Sequence, residues 1–125
     1  MPVDEANDYL RGHPVQEQWD GLTLVGAIVD SDLSRLEHVR ELRRLWLVGS
    51  NVSDRGMKHL LWLDQLECLV LYSDRLTDAC LASIRQMSSL RSLDMQGSPH
   101  VSRSAFEEVV RSLPLLETSY APESP

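Results

Sequence analysis

The sequence predicts an α/β fold in which parallel strands alternate with short helices, and three observations predict it. The pattern L-x-x-L-x-L occurs at residues 42–47, again at 66–71 and, with Met for the last Leu, at 90–95. The spacing is constant, at about 24 residues, within the range of a repeat array. A partial copy at 19–24 lies one position closer than that period, and another start, at Leu115, lies one position further. Between the strands, a second signal repeats in step: Val52-Ser53-Asp54, Leu76-Thr77-Asp78 and Val101-Ser102-Arg103. The third observation is an apolar residue at every third position before each return to a strand.

Each element follows from these signals. In L-x-x-L-x-L, side chains alternate between two faces, so the Leu positions turn inward and the residues between them outward. Strands are expected near residues 22–24, 45–47, 69–71 and 93–95. Ser53, Thr77 and Ser102 suit helix N-caps because a hydroxyl accepts a bond from an orphan backbone N–H. Asp54 and Asp78 then suit the positive helix end. The inward stripes are Leu33, Leu36, Val39, Leu42; Met57, Leu60, Leu63, Leu66; Leu81, Ile84, Met87, Leu90; and Phe106, Val109, Ser112, Leu115. Pro2, Asp4, Glu5 and a stop at Gly12 predict a helical cap within residues 1–18. The repeat region is expected over 19–119, and residues 120–125 read as a polar, Pro-rich disordered tail.

The period, the strand motif and the stretches 52–57 (Val-Ser-Asp-Arg-Gly-Met) and 76–81 (Leu-Thr-Asp-Ala-Cys-Leu) resemble leucine-rich repeat proteins. The likeness is to the cysteine-containing, F-box-associated subclass and its bacterial relatives, although no F-box is expected before these repeats. The resemblance implies a right-handed solenoid of about four repeats, with parallel strands on the concave face and helices on the convex face. It implies no particular activity. Where the family places Asn or Cys, three residues after the last strand Leu, this chain has Ala27, Ser50, Asp74 and Ser98. Irregular turns in place of a buried ladder are expected there.

Charge and composition narrow the function. Nineteen acidic against 12 basic residues give a formal charge of −7, which disfavours nucleic acid and anionic membrane surfaces as partners. No apolar run approaches the ~20 residues that span a bilayer, and the first residues lack a secretory signal. A cytoplasmic location is expected. His13, His38, His59 and His100 are scattered, Cys68 and Cys80 make no metal pattern, and no Gly-rich phosphate loop occurs. The chain is therefore expected to be no enzyme and to hold neither metal nor cofactor.

The outward strand positions carry the functional signal. Stacking the repeats puts Thr23, Trp46, Val70 and Asp94 in one row, Val25, Val48, Tyr72 and Gln96 in the next, and Gly21, Arg44, Cys68 and Ser92 in the row before. Trp46, Val48, Val70 and Tyr72 form an apolar and aromatic cluster that folding does not require, with Arg44 and Asp94 at its rim. Such patches mark interfaces. The expected role is a protein-binding module whose sheet face takes a protein or peptide, with the acidic surround favouring a basic one. The alternatives are an assembly subunit or an inhibitor or immunity-type protein. A monomer is expected, with dimerisation through the last strand edge as the other state. Trp62 aligns with His38, Gln86 and Arg111 on the helical side and is expected to lean over the gap between helices.

Overall fold

The computed structural model describes residues 21–26 and 28–122. The expected cap at 1–18, Trp19 and the last three residues lie outside that range. Five strands, β1 (Gly21–Val25), β2 (Arg44–Ser50), β3 (Cys68–Ser73), β4 (Ser92–Asp94) and β5 (Thr118–Tyr120), form one sheet in chain order. All neighbours are parallel, with Leu22 opposite Leu45, Leu45 opposite Leu69, Leu69 opposite Leu93 and Leu93 opposite Ser119. Every crossover is helical: η1 (Asp30–Val39), η2 (Asp54–Trp62), η3 (Asp78–Cys80) running into α1 (Leu81–Ile84), and α2 (Arg103–Ser112). Among the described residues no helix is long and apolar enough to cross a membrane.

The core lies between sheet and helices. Leu45, Leu47, Leu69, Leu71, Leu93 and Met95 are buried from the strand side, and Leu33, Leu36, Met57, Leu60, Leu81, Ile84, Phe106 and Val109 from the helix side. Fully burying one such side chain contributes about 1.5–3 kcal/mol. The stripes at every third residue have a direct geometric meaning. A 3₁₀ helix turns once in 3.0 residues, so positions i and i+3 eclipse and a strict triplet stripe points one way without drift. That is the form of η1, which carries Leu33, Leu36 and Val39, and of η2, which carries Met57 and Leu60; Leu81 and Ile84 lie in the single α-helical turn α1, too short for a stripe to drift.

The fourth stripe departs from the expectation. Crossover α2 is a true α-helix, whose 3.6-residue turn carries the inward position one residue further on. Leu113 is buried and Leu116 half-buried, whereas Ser112 and Leu115 are exposed, Leu115 by 48%. The partner of Leu93 is therefore Ser119, one position later than a strand counted from Leu115 would give. Tyr120 belongs to β5 and Pro122 is buried, so the chain past Ser119 continues the fold before the tail expected at 120–125.

The turns also differ from expectation, in the direction of greater order. Ser50 pairs with Ser73, not with Asp74, because the β2–β3 register shifts between Val48 and Ser50. Gly49, at φ +66°, supplies the left-handed residue this bulge needs. Ser50, Ser73 and Ser98 are all buried. The Ser73 hydroxyl donates to Val52 O at 2.7 Å and the Ser98 hydroxyl to Leu71 O at 2.6 Å, while Ser98 Oγ accepts from Ser73 N. A serine ladder thus satisfies backbone groups inside the turns.

The residues expected to cap helices also bind one crossover to the next. Asp30 accepts from the backbone N–H and the hydroxyl of Ser53. Asp54 does the same for Thr77, at 2.9 and 2.5 Å, and Asp78 for Ser102, at 2.6 and 2.9 Å. Each charge-assisted pair fixes both the start and the spacing of neighbouring helical segments. Thr77 and Ser102 also accept from Ala79 N and Ala105 N, so they cap as expected; Ser53 makes no side-chain cap.

Cys80 follows Asp78 at the same remove as Gly56 follows Asp54. It is buried, and burial, followed by the Asp54 and Asp78 charges, pushes its thiol up to about 12. A protonated, shielded thiol is not a nucleophile. Native protein treated with an aromatic disulfide reagent should therefore release one rapid equivalent, from half-exposed Cys68, and a second only in denaturant. Retention of the rapid phase in Cys68→Ser would contradict this assignment.

Candidate functional site

The outward side chains of β2, β3, β4 and β5 form the site. Because Leu45, Leu47, Leu69, Leu71 and Leu93 point into the core, strand alternation sends Trp46, Val48, Val70, Tyr72 and Asp94 to the opposite face. Register puts Trp46 opposite Val70, Val70 opposite Asp94, and Val48 opposite Tyr72. The residues singled out from the sequence are thereby brought to one face. Trp46 is 45% exposed, Arg44 is exposed, and Val48, Val70, Tyr72 and Asp94 are half-buried. Arg44 lies at the start of β2, in the row continued by Cys68, Ser92 and Thr118.

Tyr72 does not close onto Trp46. Its hydroxyl donates to Asp94 Oδ2 at 2.8 Å, so the ring leans from β3 towards β4. Gly97 makes room for it: a Cβ at that position would lie 2.7 Å from Tyr72 Cδ2. The Asp94 carboxylate accepts a second bond on Oδ1, from Gln96 N at 3.0 Å. The face accordingly has two parts. Trp46, Val48 and Val70 form an apolar part, and Tyr72 with Asp94 a hydrogen-bonded polar part.

Sequence reasoning missed one member. Tyr120 pairs with Asp94 across β4 and β5 and is 50% exposed, which extends the Trp46–Val70–Asp94 row by a second open aromatic ring. The signal available was that Tyr120 follows Asp94 at nearly the repeat period; it was hidden by the polar, Pro-rich composition beyond it. Sequence reasoning also missed the row just before the strands. There Arg43, Glu67, Arg91 and Glu117 alternate in sign, with ion pairs of 3.6 Å between Arg43 and Glu67, 3.2 Å between Arg91 and Glu67, and 3.0 Å between Arg91 and Glu117. These pairs are exposed, and each is worth at most about 1 kcal/mol.

The Tyr72 hydroxyl is pushed up to about 12, first by burial and then by the hydrogen bond and charge of Asp94. Raising the pKa of an acid above its unfolded value near 10 favours the protonated, folded form. The associated stability is fully present below pH ~10 and is lost as pH rises through ~12. In tyrosinate absorbance titrations, the difference between wild type and Tyr72→Phe should rise near pH 12. Asp94→Asn should bring it down part of the way, since burial remains. A Tyr72 transition at the ordinary value in wild type would rule out the bond to Asp94.

The helical side offers less. Trp62 is half-buried and its ring lies 5.0 Å from that of His59, tilted by 57°. That places it over its own helix, with no open ring comparable to Trp46. His38 lies 3.7 Å from Glu37 on the surface, and His100 is exposed. Among the described residues no group of three His, Cys, Asp or Glu side chains converges on a point that would hold a metal ion.

Compared with known proteins, the chain matches no family model and no curated sequence.

Proposed function

We propose that this chain is a non-catalytic binding module of the leucine-rich repeat type, a solenoid whose concave sheet face takes a protein or peptide partner. The observation that supports it is Trp46. A tryptophan left 45% exposed beside half-buried Val48 and Val70, on a face opposite the core, contributes little to folding. A large ring in that setting is the residue type that dominates binding energy. The repeat period, the inward Leu ladder and the serine ladder at the turns support the family reading.

Selection of displayed random peptides on the wild-type protein tests the proposal, with Trp46→Ala as counter-target. Peptides that bind the sheet face should lose about 2 kcal/mol, or roughly thirtyfold, on Trp46→Ala, while the melting temperature stays within a degree or two. Trp46 is a cleaner probe than Tyr72, whose ring packs on Gly97 and whose removal also disturbs folding. Binders that ignore Trp46→Ala would move the interface elsewhere, and a large stability loss in that variant would make the ring structural.

A further inference from the structure

We infer that Asp94, with Tyr72 and Tyr120 on either side, is a subsite for a basic side chain of the partner, an arginine above all. The inference rests on the reading of the sheet face as a binding surface, and it states what chemistry that surface selects.

The carboxylate is held in place but not saturated. From the described residues each oxygen of Asp94 accepts one bond, Oδ2 from Tyr72 and Oδ1 from Gln96 N. An ionised carboxylate offers about four acceptor positions, so one remains on each oxygen. One open position on each oxygen is the number that the fork of a guanidinium uses. The two bonds already made also fix the carboxylate's orientation before any partner arrives, which lowers the ordering cost of binding.

No cation of the described residues forms an ion pair with it. Arg44, on the same face, stands on β2, two strands away from β4, a separation of about 10 Å at the usual strand spacing. The neighbours of Asp94 are aromatic instead. Tyr120 is its register partner and half-exposed, and Tyr72 reaches it from the other side. A cation placed at the carboxylate therefore lies between two tyrosine side chains, a residue type that attracts cations. The net charge of −7 works in the same direction at long range. Beyond Asp94, the row continues through Val70 to Trp46. The preferred occupant is thus a segment carrying one basic residue next to an apolar one.

The experiment titrates tetra-arginine amide, tetra-lysine amide and tetra-glutamate amide into isotopically labelled protein followed by NMR. Tetra-arginine should move the signals of Asp94, Tyr72 and Tyr120 and the Trp46 indole N–H, with tetra-lysine weaker and tetra-glutamate inert. Asp94→Asn should weaken the tetra-arginine response at least tenfold with dispersed spectra retained, and Tyr120→Ser about threefold. Shifts spread over the helical side, or unchanged in Asp94→Asn, would overturn the inference. The displayed peptides separate its failure from that of the binding module. Trp46-dependent peptides that lack basic residues and tolerate Asp94→Asn would leave the module standing and refute the subsite.

Discussion

Leu60→Ala is expected to lower the unfolding free energy by about 2–5 kcal/mol, and Ile84→Ala by a comparable amount. Leu36, Leu60, Ile84 and Val109 take the same place in successive crossovers, and all four are buried. Leu60 and Ile84 are the inner pair of that row. Each has a packed crossover on both sides, so the walls of a new cavity cannot collapse into it, and the full cavity cost remains. Urea denaturation with an unchanged m value would measure the loss. Either variant proving near neutral would show that the inward stripe does not hold the helices to the sheet.

The second large effect is expected at Gly56. A Cβ there would lie 2.9 Å from Asp30 Cγ, closer than real contacts allow. Asp30 cannot give way freely, because both its oxygens are committed to Ser53. Gly56→Ala should therefore break the pair that joins η1 to η2, at about 1.5–3 kcal/mol, the range for hydrogen bonds to a charged group. A double-mutant cycle identifies the cause. In an Asp30→Ala background the same substitution should cost little, since the obstructing carboxylate is gone. Equal costs in both backgrounds would place the penalty in the helix backbone instead.

What was legible in the sequence was whatever repeats at a fixed offset. Leu45, Leu69 and Leu93 are buried, register-paired and parallel, because a strand alternation repeated at a constant period leaves no other way to bury them. The outward rows followed from the same count, and the structure places Trp46, Val70 and Asp94 side by side. What was not legible were single-position departures from the period. The α-helical turn of α2 moved the inward position from Ser112 and Leu115 to Leu113 and Leu116. The bulge at Gly49 moved the ladder position from Asp74 to Ser73. Both depend on local backbone geometry, 3₁₀ against α in one case and a positive φ in the other, which apolar spacing alone does not distinguish. The bond from Tyr72 to Asp94 was hidden for a different reason. It runs diagonally across the face and is permitted by the missing side chain of Gly97.

The strand register also governs how the chain can find this structure. Each strand pairs with the one before it at a separation of a single repeat, and the strand order in space is the order in the chain. Forming the sheet is thus a succession of closures of nearly equal length. For a loop of about 25 residues the length-dependent entropy is about 3 kcal/mol per closure. No step has to bring together residues from opposite ends, so no single closure dominates the barrier. Contacts made in one step lie beside those needed for the next, and the nucleus can form at any adjacent pair of strands and grow in either direction.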